Sequence, residues 1–168
     1  MSASLTQISF ADLLDWNESE TKKWQAWFES QPAAVLDVPV QIAKTKNVRE
    51  FLLHILAVEL RYAQRLNGEP VTSYEELPTG SLGDLFSIGE RARAGLRKYL
   101  ASTTDDELKH VLEFPTRSAG TLRASERKIF LHAMLHSVRH WAQLATALRQ
   151  AGYEAKWMKD FLASDVME

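Results

Sequence analysis

The residues in this sequence best equipped for chemistry are its histidines. Only five occur in 168 residues, and three of them, His132, His136 and His140, recur every fourth position within FLHAMLHSVRHWAQL, residues 130–144. Four residues is a little over one helical turn, so all three fall along one stripe of a helix. Two imidazoles at i and i+4 can chelate one divalent cation, because their side chains project in nearly the same direction. All three cannot share it, because the outer two lie about 12 Å apart along the axis. One pair plus a ligand from another helix is the workable arrangement. His54 is the obvious third ligand, since it sits in a second apolar helical stripe, whereas His110 falls in a long connection. The competing reading is a set of core histidines hydrogen-bonded to their neighbours, because histidine is intermediate in burial preference. Burying several imidazoles is costly unless their nitrogens are satisfied, and one cation satisfies three at once.

Those side chains need a scaffold, and the hydrophobic periodicity supplies four helical patterns. They run over about Phe10–Ser30, Val48–Leu66, Leu82–Leu100 and Glu126–Gln150. Ser9 with Asp12, Asn47 with Glu50, and Ser81 with Asp84 have capping-box spacing, and Ser125 can cap the fourth helix. Pro32, Asn67-Gly68 and Gly152 are stop signals. The links 67–80 and 101–124 exceed the about two to eight residues usual between bundled helices, so they are expected to cross the bundle. Within the second link, Val111–Phe114 and Thr121–Arg123 could pair as a hairpin around Arg117–Gly120. A tail element around Trp157, Met158, Phe161 and Leu162 is expected to pack across the bundle end. The fold class is therefore all-α, a four-helix bundle with long crossover connections and a small β-hairpin between helices 3 and 4. Residues 1–168 read as a single domain.

Composition narrows the function. The chain is 45% hydrophobic and 25% charged, with net charge −2 and scattered Lys and Arg. That profile argues against disorder and against a nucleic-acid partner. No run reaches the roughly 18 apolar residues of a membrane span, so no membrane partner is expected. The start, MSASLTQISF, lacks a basic segment followed by an apolar core, so no signal peptide is expected and the cytoplasm is the default location. Without cysteine, the chain has no disulfide, thiolate ligand or cysteine nucleophile of its own.

The segment His136-Ser-Val-Arg-His140-Trp-Ala-Gln143, preceded by His132, resembles the last-helix signature of the DinB/YfiT-like superfamily, H-x-x-x-H followed by a short x-G-Q or x-A-Q step. Leu52-Leu-His54-Ile-Leu-Ala-Val-Glu59 is similar to that family's second-helix motif, a histidine with a Glu five residues on. Trp16-Asn17 fits its aromatic-Asn pair. The likeness covers about residues 8–152. It implies a divalent metal held by His54, His136 and His140, with His132 lining the site. The chain departs from the commonest pattern at Trp141-Ala142, where the family often has Arg-Gly. The resemblance also implies an activity, since relatives include thiol-dependent S-transferases, a maleylpyruvate isomerase that uses a low-molecular-weight thiol, and metal-dependent hydrolases.

Three neutral imidazoles leave a divalent ion its full charge and an open position. Zinc and nickel suit nitrogen ligands best, with iron also suited. Such an ion can activate water, or an external low-molecular-weight thiol cosubstrate, against a small-molecule substrate. The alternative is a non-catalytic metal-binding or structural protein, in which the cluster stabilises a homodimer or the fold. Glu50 and Arg61 fall within about 40° of His54 on the helix, counting about 100° per residue. Glu50 could orient an imidazole and Arg61 could meet an anionic substrate group. Asn17 and Thr21 are polar on a core stripe and could line a pocket, and Gln143 follows His140 by three. Glu59 points about 140° away from His54 and should pair with another helix. Arg93 reads as a snorkelling surface residue. Trp16, Trp24 and Trp27 read as packing or dimer contacts.

Overall fold

The structure is a computed structural model that describes residues 8–116 and 120–166. Four helices dominate: α1 (Phe10–Glu29), α2 (Val48–Leu66), α3 (Leu82–Ser102) and α4 (Glu126–Gln150). Each begins where a side chain satisfies orphan amides. Ser9 and Ser81 form full capping boxes with Asp12 and Asp84. At α2 the expected box is shifted. Asn47 accepts from the Glu50 amide, but Glu50 reaches back to the Lys46 N–H at 2.9 Å instead of the cap's own. Ser125 caps α4 by accepting from Lys128.

The principal contacts run α1 to α3, α3 to α2, α2 to α4 and α4 back to α1. That cyclic order places α1 opposite α2 and α3 opposite α4. The links 30–47 and 103–125 therefore cross the bundle, whereas 67–81 joins neighbouring helices. The expected crossing at 67–80 is thus corrected. Gln64 holds that link against α2, donating to Thr72 Oγ1 at 2.7 Å and accepting from the Thr72 amide at 3.0 Å.

The hairpin between α3 and α4 is longer than the sequence suggested. Strands β1 (Val111–Thr116) and β2 (Gly120–Ser125) pair antiparallel, with Val111 opposite Ser125 and Phe114 opposite Leu122. The expected turn residues Arg117 to Ala119 lie outside the described residues. Phe114 is the buried residue of β1 and joins the hydrophobic cluster that holds Phe130 and Tyr99. In the tail, the Trp157 ring meets Trp24 at 4.9 Å and its indole N–H donates to Glu20 at 3.2 Å. Phe161 packs edge-on to Trp16 at 5.1 Å, but Met158 and Leu162 point outward, so only half of the expected tail contact forms.

One buried polar cluster draws a residue from every helix. Glu59 of α2 is fully buried and accepts from the Ser137 hydroxyl of α4. The Arg93 guanidinium of α3 lies 3.7 Å from its other oxygen. The Asn17 amide of α1 faces the same carboxylate, close enough to favour its charged form yet outside hydrogen-bond geometry. Burial pushes the Glu59 carboxyl above its ordinary range, opposed first by Arg93 and then by Ser137 and Asn17. Glu59 thus pairs with other helices, as its rotation from His54 required. Arg93, read as a surface residue, is instead buried. Gly89, one turn earlier, makes this possible. A Cβ there would stand 2.8 Å from Leu56 and 3.0 Å from the Arg93 guanidinium. Glu59→Ala would leave Arg93 unpaired in the core and should cost about 3–5 kcal/mol in urea unfolding. Replacing Glu59 and Arg93 together by Leu should cost clearly less than that single change, which a double-mutant comparison reads directly.

Candidate metal centre

Helices α2 and α4 lie side by side, and their inward stripes carry the histidines. His54 and His136 have ring centroids 5.0 Å apart, His54 and His140 5.0 Å, and His136 and His140 4.2 Å. One ligand nitrogen from each can be chosen so that all three lie within 4.8 Å of one another. The i, i+4 step of α4 supplies two imidazoles, and α2 supplies the third from across the seam. His136 and His140 are buried and His54 is partly exposed. Phe51, one turn before His54, forms an apolar wall, with its ring edge-on to His140 at 5.1 Å.

The donor chemistry suits a cation. Burial, reinforced by the neighbouring imidazoles and Arg139, holds His136 far below the usual histidine range, at about 2. His140 is lowered by burial too, opposed by its contact with Gln143. Both are therefore neutral at pH 7 and keep a lone pair without competition from protons. His136 Nδ1 is buried and has no hydrogen-bond partner among the described residues. A polar nitrogen left so at depth is costly, and a metal ion in the cluster is a group that fits this need.

The tautomer of His140 follows from its partners. Arg139 Nη2 lies 3.3 Å from Nε2, and a guanidinium can only donate, so Nε2 carries the lone pair. Nδ1 then carries the proton and donates to Gln143 Oε1 at 2.6 Å. Gln143 thus orients the ring and leaves Nε2 as the ligand nitrogen. Gln143 also lines a shallow open depression with Ile42, Ala142 and Thr146, which brings this end of the seam close to solvent.

Other expected neighbours are engaged differently. His132 is exposed, 5.6 Å from the His136 ring and 5.3 Å from Tyr62, and it is not part of the ligand group. Burial and the charges of Arg139 and Lys128 lower its pKa. Thr21 donates to the Asn17 carbonyl at 2.8 Å, and Asn17 belongs to the Glu59 cluster. Glu50 caps the start of α2, and Arg61 donates to the Thr72 carbonyl. Sequence reasoning missed Arg139, although the H-S-V-R-H run places it beside His140. It also missed Tyr62 and Phe51, whose roles depend on which helix faces α2.

The fold finds its counterpart among known proteins. The DinB family model matches residues 1–166, and the chain belongs to the DinB family. Among solved structures it is similar to a DinB-like protein from Bacillus subtilis. That likeness has a TM-score of 0.61 and 14% identity, and covers 88% of this chain and 97% of the other. No curated protein matches the sequence.

Two outcomes follow from the site. Gln143→Leu should lower zinc affinity about 10–100-fold, read by competition with a chromophoric chelator, with little change in helix content. Chelator-treated protein should lose stability as pH falls below about 6.5, the unfolded-state histidine value. The folded-state pKa is depressed, so the unfolded chain binds the proton first. The stability is present above the unfolded value and drains away as pH falls. His136 alone should contribute about 1.4 kcal/mol per pH unit below 6.5, measured by urea unfolding.

Proposed function

We propose that this chain is a divalent-metal-dependent enzyme acting on a small molecule, as a hydrolase or as a transferase using a low-molecular-weight thiol. The observation that carries this reading is the donor set, three imidazoles from two helices with no fourth protein ligand grouped with them among the described residues. A closed structural site would present four ligands, whereas three leave a position for a reactant. Family membership supports the reading at the level of a metal-binding helical protein. Zinc and nickel are the metals best matched to nitrogen donors, with iron third.

A bound divalent ion would supply Lewis acidity, making water or an external thiol reactive near neutral pH. The chain supplies the rest. Burial keeps His136 and His140 as ligands down to mildly acidic pH. Gln143 fixes the ring of His140. Phe51 forms an apolar wall beside that ring. Arg139, exposed beside His140, sets a fixed positive charge at the mouth of the site, where it favours an anionic reactant. Because the chain has no cysteine, any thiol nucleophile arrives as a cosubstrate.

The non-catalytic alternative has one observation in its favour. Leu135 is 59% exposed on the outer side of the histidine helix, a surface that a second copy of the chain would cover. No described helix is long and apolar enough to cross a membrane. The cytoplasm is the compartment we propose.

Metal content tests the site. In protein purified without an affinity tag, His54→Ala, His136→Ala and His140→Ala should each remove most of the bound metal, and His132→Ala should retain it. Loss on replacing His132 with retention on replacing His140 would show that the wrong pair was chosen. Turnover of activated esters or electrophiles with common cellular thiols, dependent on that metal, separates the enzyme from the structural dimer.

A further inference from the structure

The C-terminal half of helix α2 carries two arginines, Arg61 and Arg65, one turn apart and facing the hairpin end of the bundle. Arg61 stands seven residues beyond His54. By helix geometry it lies within about 20° of the same line and about 10 Å further along the axis. The span between is lined by His132 and Tyr62, which pack ring to ring at 5.3 Å. The seam that holds the histidines therefore continues to the two guanidiniums.

Both arginines are half-buried and held in place. Arg61 lies over the Tyr74 ring at 5.1 Å and donates to the Thr72 carbonyl. Arg65 lies 5.5 Å from the Tyr62 ring and 5.0 Å from the Phe114 ring. It donates to the Arg61 carbonyl at 3.0 Å and to the Pro115 carbonyl at 3.5 Å. Stacking covers the faces of a guanidinium and leaves its in-plane N–H donors for an oxyanion. Those backbone contacts occupy only part of the donor set.

What these arginines lack is an acid. Among the described residues no carboxylate lies within ion-pair distance of either; of the other arginines that are not exposed, buried Arg93 has one and half-buried Arg49 does not. Burial and the adjacent charge of Arg61 both push the Arg65 guanidinium below its ordinary value. Two like charges held together in a half-buried aromatic setting are relieved by an anion that binds both.

We propose that Arg61 and Arg65 recognise the oxyanion of an elongated acid, a carboxylate or phosphate about two helical turns from the atom that reacts at the histidine end. The reacting end rests on the metal-centre reading, while the anion end stands on the arginines alone. The substrate or cosubstrate class is thus a small acid of extended shape, with its charged group remote from its reactive one.

Two measurements test this. In the first, chelator-treated protein is titrated with inorganic phosphate and, separately, with acetate, following the arginine side-chain N–H resonances. At least one anion should shift the Arg61 and Arg65 signals. Arg61→Gln and Arg65→Gln should each weaken that binding about tenfold, and His136→Ala should leave it unchanged. No shift with either anion, or binding indifferent to both glutamine variants, overturns the proposal. So does binding lost only in His136→Ala. Arg61→Gln, which removes one ring contact, keeps the test decisive if Arg65→Gln fails to fold. In the second, cobalt-loaded protein is titrated with 8-mercaptooctanoate and with neutral 8-mercaptooctanol, following the thiolate charge-transfer band. The acid should bind about tenfold more tightly, and Arg61→Gln should erase the difference. Equal binding overturns the proposed link between the arginines and the histidine end. A cobalt-loaded protein that shows no band with either thiol overturns the thiol-transferase reading and the link between the two ends, while the phosphate titration still reads the anion end by itself.

Discussion

A carboxylate sealed in the centre of a helical bundle sets the register of everything around it. Glu59 is tied to Ser137 of α4 and paired with Arg93 of α3, with Asn17 of α1 closing the group. A buried charge tolerates little displacement from its partners, because sliding one helix by a turn would strand it in an apolar medium. Ser137 immediately follows His136, and Glu59 lies five residues after His54. The contact that fixes α2 against α4 therefore also fixes the height at which their histidines meet. Apolar packing alone is forgiving of small slips, whereas this pair is not.

The histidine group and the Glu59 cluster handle the same difficulty in different ways. At Glu59, burial of a charge is offset by an opposite charge and hydrogen bonds. At His136 and His140, burial is tolerated because the imidazoles stay neutral, leaving lone pairs directed at a common region. The first arrangement draws on groups of the protein alone, although Glu59 Oε2, Arg93 Nη1 and the Asn17 side-chain amide lack a hydrogen-bond partner among the described residues, and it reads as structural. The second likewise leaves a nitrogen of His136 without a protein partner, but beside two other imidazoles whose ligand nitrogens a single cation could share. Unsatisfied polarity of that kind is tolerated where a site is built for something else to enter.

Much of this was legible in the sequence. Helix starts were visible because Ser9, Ser81 and Ser125 are caps with a defined spacing, and α2 was bounded correctly by Asn47 and Asn67. The histidine stripe followed from periodicity. The choice of His136 and His140 over His132 did not, because spacing treats both pairs alike, and it came through the family resemblance. What stayed hidden depends on which helices face each other. Arg93 could be buried only because Gly89 leaves room against Leu56, a three-dimensional fact with no local signature. Asn17 and Thr21 were correctly sensed as buried polar residues, but their partners could not be read from a stripe. Arg65 gave no signal because its neighbours come from α2 and β1, brought together only by the hairpin.

That hairpin is joined to the rest in an unusual way. Its second strand ends at Ser125, and the same residue caps α4. The first residue of α4, Glu126, donates its amide to the His110 carbonyl and accepts from the Tyr99 hydroxyl at 2.7 Å. No flexible spacer separates sheet from helix. A force applied to the strands is thus not absorbed in a linker but transmitted along α4 as through a stiff rod, reaching the histidines near its middle. The hairpin and the histidine stripe behave as parts of one body, so the spacing between them is set by the rise of α4 alone.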